Sequence, residues 1–511
     1  MKIKNKRKNN KGITLVSLVI TIIVMLIIAG VSMKLIFTED GVIDSAEDAS
    51  KKPEKVQTIQ LARKEILKLG VENSREANFE EAMNIIKKYD KNQTIKKYGE
   101  DDAYITTNKG NKILVSEIWK GEKELDPNPG VLEQYGNTLV VSSIEDFIAL
   151  AYDVNSGRNN YAGKTIVLGL DIDFEGNSYA EMDATYSKSA DGFGYIKDPN
   201  SHTTLRELLT SGEGFIPIGI QGGEGTFKGN FEGNGHYIAN IYEEAEAYGG
   251  LFGCIDSDVH ITNLEIRSGT IIAKNQAGAV VGIESNPSYI QIENCINRAT
   301  IIGKNLGEGH VGGIVGQLKG GIIKNCENYG TISGYRFAGG IIGKTDNPIQ
   351  IANCYNYGEI ESKANSAGGI AGGGQINIYN SFNEGNIIGY SSAGGIAGGI
   401  ENARVENCFN TGSITSKEGT SGIGATSSAT FSYCYNFGNV KSTSNNWNIS
   451  PGISLYSTCS NCYNIGVIEG NNECFEITGG STSNCYYYNR NNGTNVTANG
   501  VTTMNQNQIN Q

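Results

Sequence analysis

The sequence predicts an all-β fold, a right-handed parallel β-helix (β-solenoid) of about twelve rungs, preceded by a single N-terminal transmembrane helix and a short α-helical stalk. An Asn-Cys-x-Asn-x-Gly phrase recurs along the second half of the chain. Its second position runs Cys295, Cys326, Cys354, Ser381, Cys408, Cys434, Cys462 and Cys485, with spacings of 31, 28, 27, 27, 26, 28 and 23 residues. Apolar side chains flank this column at fixed offsets, in segments too short for helices. Near the N-terminus, Ile13 to Met33 is a run of 21 residues without a charge.

Composition bounds the reading before any element is placed. The 511 residues are 39% hydrophobic and 19% charged, with 67 Gly and 8 Pro, which fits neither a disordered chain nor a coiled coil. Net charge is −12, yet residues 1–11 hold six cations and no acid, so the remainder carries −18. An acidic body without a basic stripe argues against a nucleic-acid partner. Solubility outside the cell is the simpler use of that charge.

At about 1.5 Å per residue, the Ile13 to Met33 run crosses roughly 30 Å of hydrocarbon, whereas a cleavable signal h-region is about half as long. The six cations before it place residues 1–12 in the cytoplasm and the rest outside. Lys11-Gly12-Ile13-Thr14-Leu15 resembles the type IV prepilin signal, a basic leader ending in Gly before a hydrophobic mature chain. That resemblance implies a prepilin peptidase as partner, cleavage after Gly12 and methylation of Ile13. The family's Glu five residues into the mature chain is replaced by Ser17, and a hydroxyl cannot form its charge pair with a neighbouring subunit's amine. Processing and membrane insertion are therefore better supported than filament assembly.

A stalk or small module is expected over 38–130, after the transmembrane helix at 13–37. Val56, Ile59, Ala62, Ile66 and Leu69 share a helical face, Lys112–Trp119 reads as a strand, and Asp126-Pro127-Asn128-Pro129-Gly130 as a linker. Residues 131–164 form the solenoid's N-terminal cap. There Ser143 and Asp146 make a capping box before a stripe of Phe147, Leu150, Ala151 and Val154. Ile166, Leu168, Leu170, Ile172 and Phe174 alternate as one strand, and the solenoid extends over 165–489, with 490–511 a polar tail that folds over the far edge or stays disordered.

Within the repeat, Ile292, Ile323, Ile351, Ile378, Val405 and Phe431 stand three residues before the Cys column. Ile301, Ile332, Ile360, Ile387, Ile414, Val440 and Ile468 stand six after it. A second phrase, such as Gly312-Gly313-Ile314-Val315-Gly316 or Gly394-Gly395-Ile396-Ala397-Gly398, lies between them. One unit cannot bury its own strands. Stacking units in parallel pairs each backbone with the next and gathers the isoleucines into one core, with crossovers of the usual right hand. These phrases resemble the GLUG repeat of bacterial surface proteins, found in adhesins and as accessory repeats in IgA-specific metallopeptidases, most clearly over 249–488.

Ten cysteines invite a disulfide framework, but one column on successive rungs repeats at about 4.8 Å, where a disulfide needs Cβ atoms about 3.8 Å apart and converging. Free, buried thiols are expected. Cys459-Ser460-Asn461-Cys462 lacks a second pair for zinc, and no His-Glu-x-x-His occurs among His202, His236, His260 and His310, so neither a metal nor a cofactor is expected. Asp171, Asp173 and Glu175 are the acids to weigh for a glycan-active enzyme, against the plainer reading of solvated strand ends. The binding candidates are the aromatics after the Cys column: Tyr355, Phe382, Phe409, Tyr435, Tyr463 and Tyr486, with Tyr329, Tyr357 and Phe437 close by. Facing outward they would suit sugar rings or a protein ligand; the alternative is rung-to-rung stacking that only stabilises the sheet.

The expected function is a non-enzymatic cell-surface adhesin or display protein, a single-pass bacterial membrane protein whose extracellular β-helix binds a glycan or protein ligand. The alternatives are a minor pilin or pseudopilin, with pilus or pseudopilus subunits as partners, and a glycan lyase or hydrolase.

Overall fold

The computed structural model describes residues 137–488 apart from 176–179, 211–213, 221–224, 257, 305–308, 427, 444–448 and 471–472. It also describes Thr58, Ala62, 84–91, 96–98, 102–108, 112–114, 133–135, 496–497 and 502–504. The leader, the Gly12–Ile13 junction and the 13–37 helix lie outside the described residues. Among the described residues no helix is long and apolar enough to cross a membrane. The chain divides into two compact units, residues 1–128 with 505–511, and residues 129–504. In the first, a helical turn at 84–87 accompanies an antiparallel sheet of Lys96–Tyr98, Asp102–Thr106 and Lys112–Leu114. The segment expected to be a helical stalk thus contains a small sheet, with Ile105 and Ile113 buried as register partners.

The second unit is a parallel β-solenoid. One rung shows the plan: Ile376–Tyr379 belongs to sheet I, Phe382–Asn383 to sheet II, Ile387–Ile388 to sheet III, Ser392–Gly394 to sheet IV and Ala397–Ile400 to sheet V. Arg404–Glu406 then pairs beside the first strand and begins the next rung. Among the described residues, sheets I to V hold 13, 12, 9, 8 and 6 strands. From Thr165–Leu168 to Thr482–Ser483 there are about eleven turns, not twelve. At about 4.8 Å per rung they extend roughly 50 Å. Length alone overcounts because the first turn carries a long insertion between Ile172–Asp173 and Asn230–Glu232.

That insertion has a packing role. Its hairpin, Tyr186–Lys188 with Tyr195–Lys197, and its short helix Leu205–Thr210 bring Tyr186, Tyr195, Leu205, Leu209 and Phe215 into the core beside the capping helix Ile144–Asn155. Phe147 of that helix stacks on Phe215 at 5.4 Å and meets Phe174 at 6.2 Å. Ser143 caps the helix, its hydroxyl accepting from the Asp146 N–H at 3.0 Å, while the Asp146 carboxylate reaches back one residue further than a standard box, to the Ser142 N–H at 2.8 Å. The cap also supplies a strand that periodicity did not separate, Thr138–Val141, parallel to Thr165–Leu168. The predicted Ile166–Phe174 strand is two strands, 165–168 and 172–173, because the chain turns a corner from sheet I to sheet II at Gly169–Asp171. Beyond residue 489 two further strands, Val496–Thr497 and Thr502–Met504, continue sheets IV and II in parallel.

Both isoleucine columns face the interior, every member from Ile301 to Ile468 having no solvent exposure. All ten cysteines are free and buried. Each thiol of the main column points at nearby carbonyls; Cys354 Sγ donates to Ala352 O at 3.4 Å and Ser381 makes the equivalent bond to Tyr379 O at 2.8 Å. A second interior column, the later Asn of the phrase, is a hydrogen-bonded ladder. Asn297, Asn328, Asn356, Asn383, Asn410 and Asn436 each donate Nδ2 to the next rung's Asn Oδ1 at 2.7–2.9 Å and to a carbonyl two residues on. These amides are buried and satisfied, which keeps the cost of a polar interior column low.

One buried group sets a pH dependence. Burial pushes the Glu476 carboxyl up to about 7, so the folded chain holds a proton that the unfolded chain releases near 4.5. Stability therefore falls as pH rises between those values and levels off above the upper one. Glu476→Gln is expected to raise Tm at pH 8 and leave it unchanged at pH 4; equal shifts at both pH values in thermal melts would contradict the assignment.

Candidate functional site

Sheet II carries the aromatic candidates on its outer face. Its strands are two residues long in the repeat, so the first residue points out and the second, Asn, points in. Register places Glu327, Tyr355, Phe382, Phe409, Tyr435, Tyr463 and Tyr486 side by side on successive rungs. Two residues on, at the corner into sheet III, Tyr329, Tyr357 and Phe437 form a second exposed row. The two rows touch: Tyr329 stacks on Tyr357 at 4.6 Å, Tyr357 meets Phe382 edge-on at 6.2 Å, and Phe382 lies 4.3 Å from Phe409. Further along, Tyr435 stacks on Tyr463 at 5.5 Å and Tyr463 on Tyr486 at 5.1 Å. Outward exposure and rung-to-rung stacking, posed as alternatives by the sequence, occur together.

Cations extend the surface toward the N-terminal rungs. The Arg298 guanidinium sits 4.1 Å from the Tyr329 ring centroid and the Arg267 guanidinium 3.3 Å from that of Tyr237, both pairing with Glu265. The Tyr329 hydroxyl donates to Glu327 at 2.6 Å, and that bond, with burial and the carboxylate's charge, pushes its pKa up to about 12. The hydroxyl therefore stays a donor across the physiological range. The sequence ranks this second row below the first because Tyr329, Tyr357 and Phe437 each lie one residue past a sheet II strand. Spacing alone does not show that the corner into sheet III keeps them beside the first row.

Two of the three acids weighed for catalysis are held by local structure, and the third, Glu175, is exposed. Asp171 Oδ1 contacts His236 Nδ1 at 3.0 Å and accepts from the Tyr237 N–H at 3.2 Å; Asp173 accepts from Asn240 Nδ2 at 2.7 Å and from the Glu175 N–H at 3.1 Å. They brace a corner between the first two rungs. Among the described residues no group of three or more His, Cys, Asp or Glu is placed to hold a metal ion. A hollow of about 210 Å³ lies on sheet III, lined by Ser413, Thr415, Asn439, Lys441 and Glu469 and without an aromatic wall.

Residues 389–415 match the model of the GLUG motif. The chain carries a GLUG motif. The matched stretch is one full turn of the solenoid, running from the sheet III–IV corner through Ser392–Gly394, Ala397–Ile400, Arg404–Glu406 and Phe409–Asn410 to the next sheet III strand at Ile414–Ser416. The rungs on either side repeat its register. Halomucin of Haloquadratum walsbyi is 28% identical over 153 residues, which is 29% of this chain and 2% of halomucin. The chain thus spans a small fraction of that relative. A Bacteroides ovatus crystal structure, provisionally named an immunoglobulin A1 protease, aligns with a TM-score of 0.38 and 20% identity over 62% of this chain and 83% of that one.

Proposed function

We propose that the chain is a cell-surface adhesin or display protein, with the sheet II flank as the surface that binds a glycan or protein ligand. The observation that carries this reading is the double aromatic row: exposed and half-exposed rings gathered on one side of a solenoid whose interior columns are already packed and hydrogen-bonded. Asp171 and Asp173, engaged in corner bonds, support binding over turnover. The prepilin-like leader and the uncharged run at 13–33 supply the anchor in this proposal, with prepilin peptidase as processing partner.

Three measurements test it. Replacing Tyr355, Phe382, Phe409, Tyr435, Tyr463 and Tyr486 by Ala in the full chain should weaken binding on an array of surface glycans and proteins at least tenfold; undiminished binding would remove the flank from the proposal. Glycan turnover lost in Asp171→Asn would replace it with the enzyme reading. Protein isolated from its own cells should begin at a methylated Ile13 on mass spectrometry, and an intact Met1–Gly12 would eliminate the processing.

A further inference from the structure

In the first row two register pairs, Tyr355–Phe382 and Phe409–Tyr435, make no ring contact among the described residues; Phe382 is met instead by Tyr357, so the run of contacts breaks at the second pair. Ring contacts run from Tyr329 to Phe409 and resume from Tyr435 to Tyr486, with no contact joining the two runs among the described residues. Phe409 and Tyr435 are nevertheless register partners on adjacent strands, about 4.8 Å apart along the backbone. Rings so placed that do not stack must splay, and each then lacks an aromatic partner on the side facing the other. Three exposed aromatics lie around the break: Phe409 is 39%, Tyr433 46% and Phe437 50% exposed.

Tyr433 makes the gap more than an accident of rotamers. It stands immediately before Cys434, where the other rungs have Asn263, Asn294, Asn325, Asn353, Asn380, Asn407, Asn461 and Asn484, and like them it has a positive φ, here 55°. Asn adopts that conformation readily and Tyr does so at a cost. Elsewhere these outer asparagines bond rung to rung, as Asn407 Nδ2 does to Asn380 Oδ1 at 3.2 Å and Asn484 Nδ2 to Asn461 Oδ1 at 3.3 Å. Tyr433 gives up both the favourable backbone and an amide in that row, and sets an exposed ring beside the gap. Backbone strain of this kind clusters at ligand-binding positions, and here it coincides with exposed aromatic side chains.

The chemistry around the gap narrows the ligand. The outward positions of the two rungs are Asn407, Phe409 and Thr411 on one and Tyr433, Tyr435 and Phe437 on the other. They offer ring faces, two phenol hydroxyls, one amide and one alcohol, and no charge. Ring faces pack against the C–H face of a pyranose, and neutral donors and acceptors match its hydroxyls. A uronate or sialate would find no cation among them. We infer that the gap between Phe409 and Tyr435, walled by Tyr433 and Phe437, is a subsite for one ring of a neutral glycan. This rests on the reading of the flank as the binding surface.

The test uses the full chain in detergent, titrated with cellohexaose, mannohexaose and, as an acidic comparator, hexagalacturonate, with saturation-transfer NMR as readout. At least one neutral hexaose is expected to bind and the acidic one not to. Tyr433→Asn should weaken that binding at least tenfold while Tm stays level or rises, since the variant restores the asparagine row; a structural role alone cannot produce that pair of results. Tyr289→Ala, which removes an exposed ring outside sheet II, should leave affinity unchanged. Neutral-hexaose binding that survives Tyr433→Asn but is lost when Tyr355, Phe382 and Tyr463 are all replaced by Ala overturns the subsite and leaves the flank reading standing. Binding of hexagalacturonate alone overturns the neutral class. Absence of binding by all three overturns the glycan, and Tyr433-dependent capture of a tryptophan-bearing peptide would then assign the gap to a protein partner.

Discussion

Gly385→Ala is expected to prevent the solenoid from assembling around its rung. The corner after the interior Asn brings each glycine onto the carbonyl of its counterpart one rung earlier: a Cβ on Gly385 would stand 1.9 Å from Gly358 O, and on Gly412 2.0 Å from Gly385 O. Both partners in that contact are backbone, fixed by the Ile360–Ile387 pairing on one side and the Asn356–Asn383 pairing on the other. No side chain can yield, so the rungs must separate locally and lose hydrogen bonds. A cost above about 4 kcal/mol is expected, at the upper end for a point substitution. Gly399→Ala serves as comparison, since its nearest neighbour is the Ser366 hydroxyl at 2.9 Å, a side chain that can rotate. Urea denaturation should show a large loss for the first and a small one for the second; similar losses would mean that the close glycine corners do not set the rung spacing.

Asn383→Ala should be the next most damaging change. Asn383 accepts from Asn356 Nδ2 at 2.7 Å and donates to Asn410 Oδ1 at 2.7 Å and Gly385 O at 2.8 Å, all in a dry interior. Removing its amide strands one donor and two acceptors, each at about 1–3 kcal/mol when unsatisfied, so a total of about 3–5 kcal/mol is expected where solvent cannot reach to compensate. Asn383→Asp should be worse at neutral pH than at pH 4: a carboxylate can still accept from Asn356 but would turn an oxygen toward Gly385 O and Asn410 Oδ1. A chemical-denaturation series across pH checks both. Losses for the alanine variant below the about 1 kcal/mol of an ordinary hydrogen bond would show that the ladder adds little.

The columns that define the solenoid were legible because their chemistry repeats at fixed offsets. The Cys and Ile positions needed only counting, and their burial follows from stacking. The Asn of the phrase was visible too, but its role was not: a sequence shows that an amide recurs, and only the inward strand geometry shows that it must bond to its neighbours. Tyr433 illustrates the converse. Read along the chain it is one more tyrosine; read down the column it is the residue that breaks a row of asparagines, and the phrase Phe431-Ser432-Tyr433-Cys434 carried that signal. The insertion after Ile172–Asp173 lacks any repeat, which is why it inflated the rung count. Its packing on the capping helix depends on contacts between residues far apart in the chain, such as Phe147 with Phe215, that no local pattern announces.

The matched stretch at 389–415 begins and ends at the same place on the cross-section, and its upper and lower faces present the same amide, glycine and isoleucine to their neighbours. Units with interchangeable faces can be duplicated or excised whole without leaving a mismatched seam. Copy number then becomes an adjustable dimension, each gain or loss moving whatever lies beyond by about 5 Å. The span of such a molecule is open to change by recombination alone, independently of any change in its core.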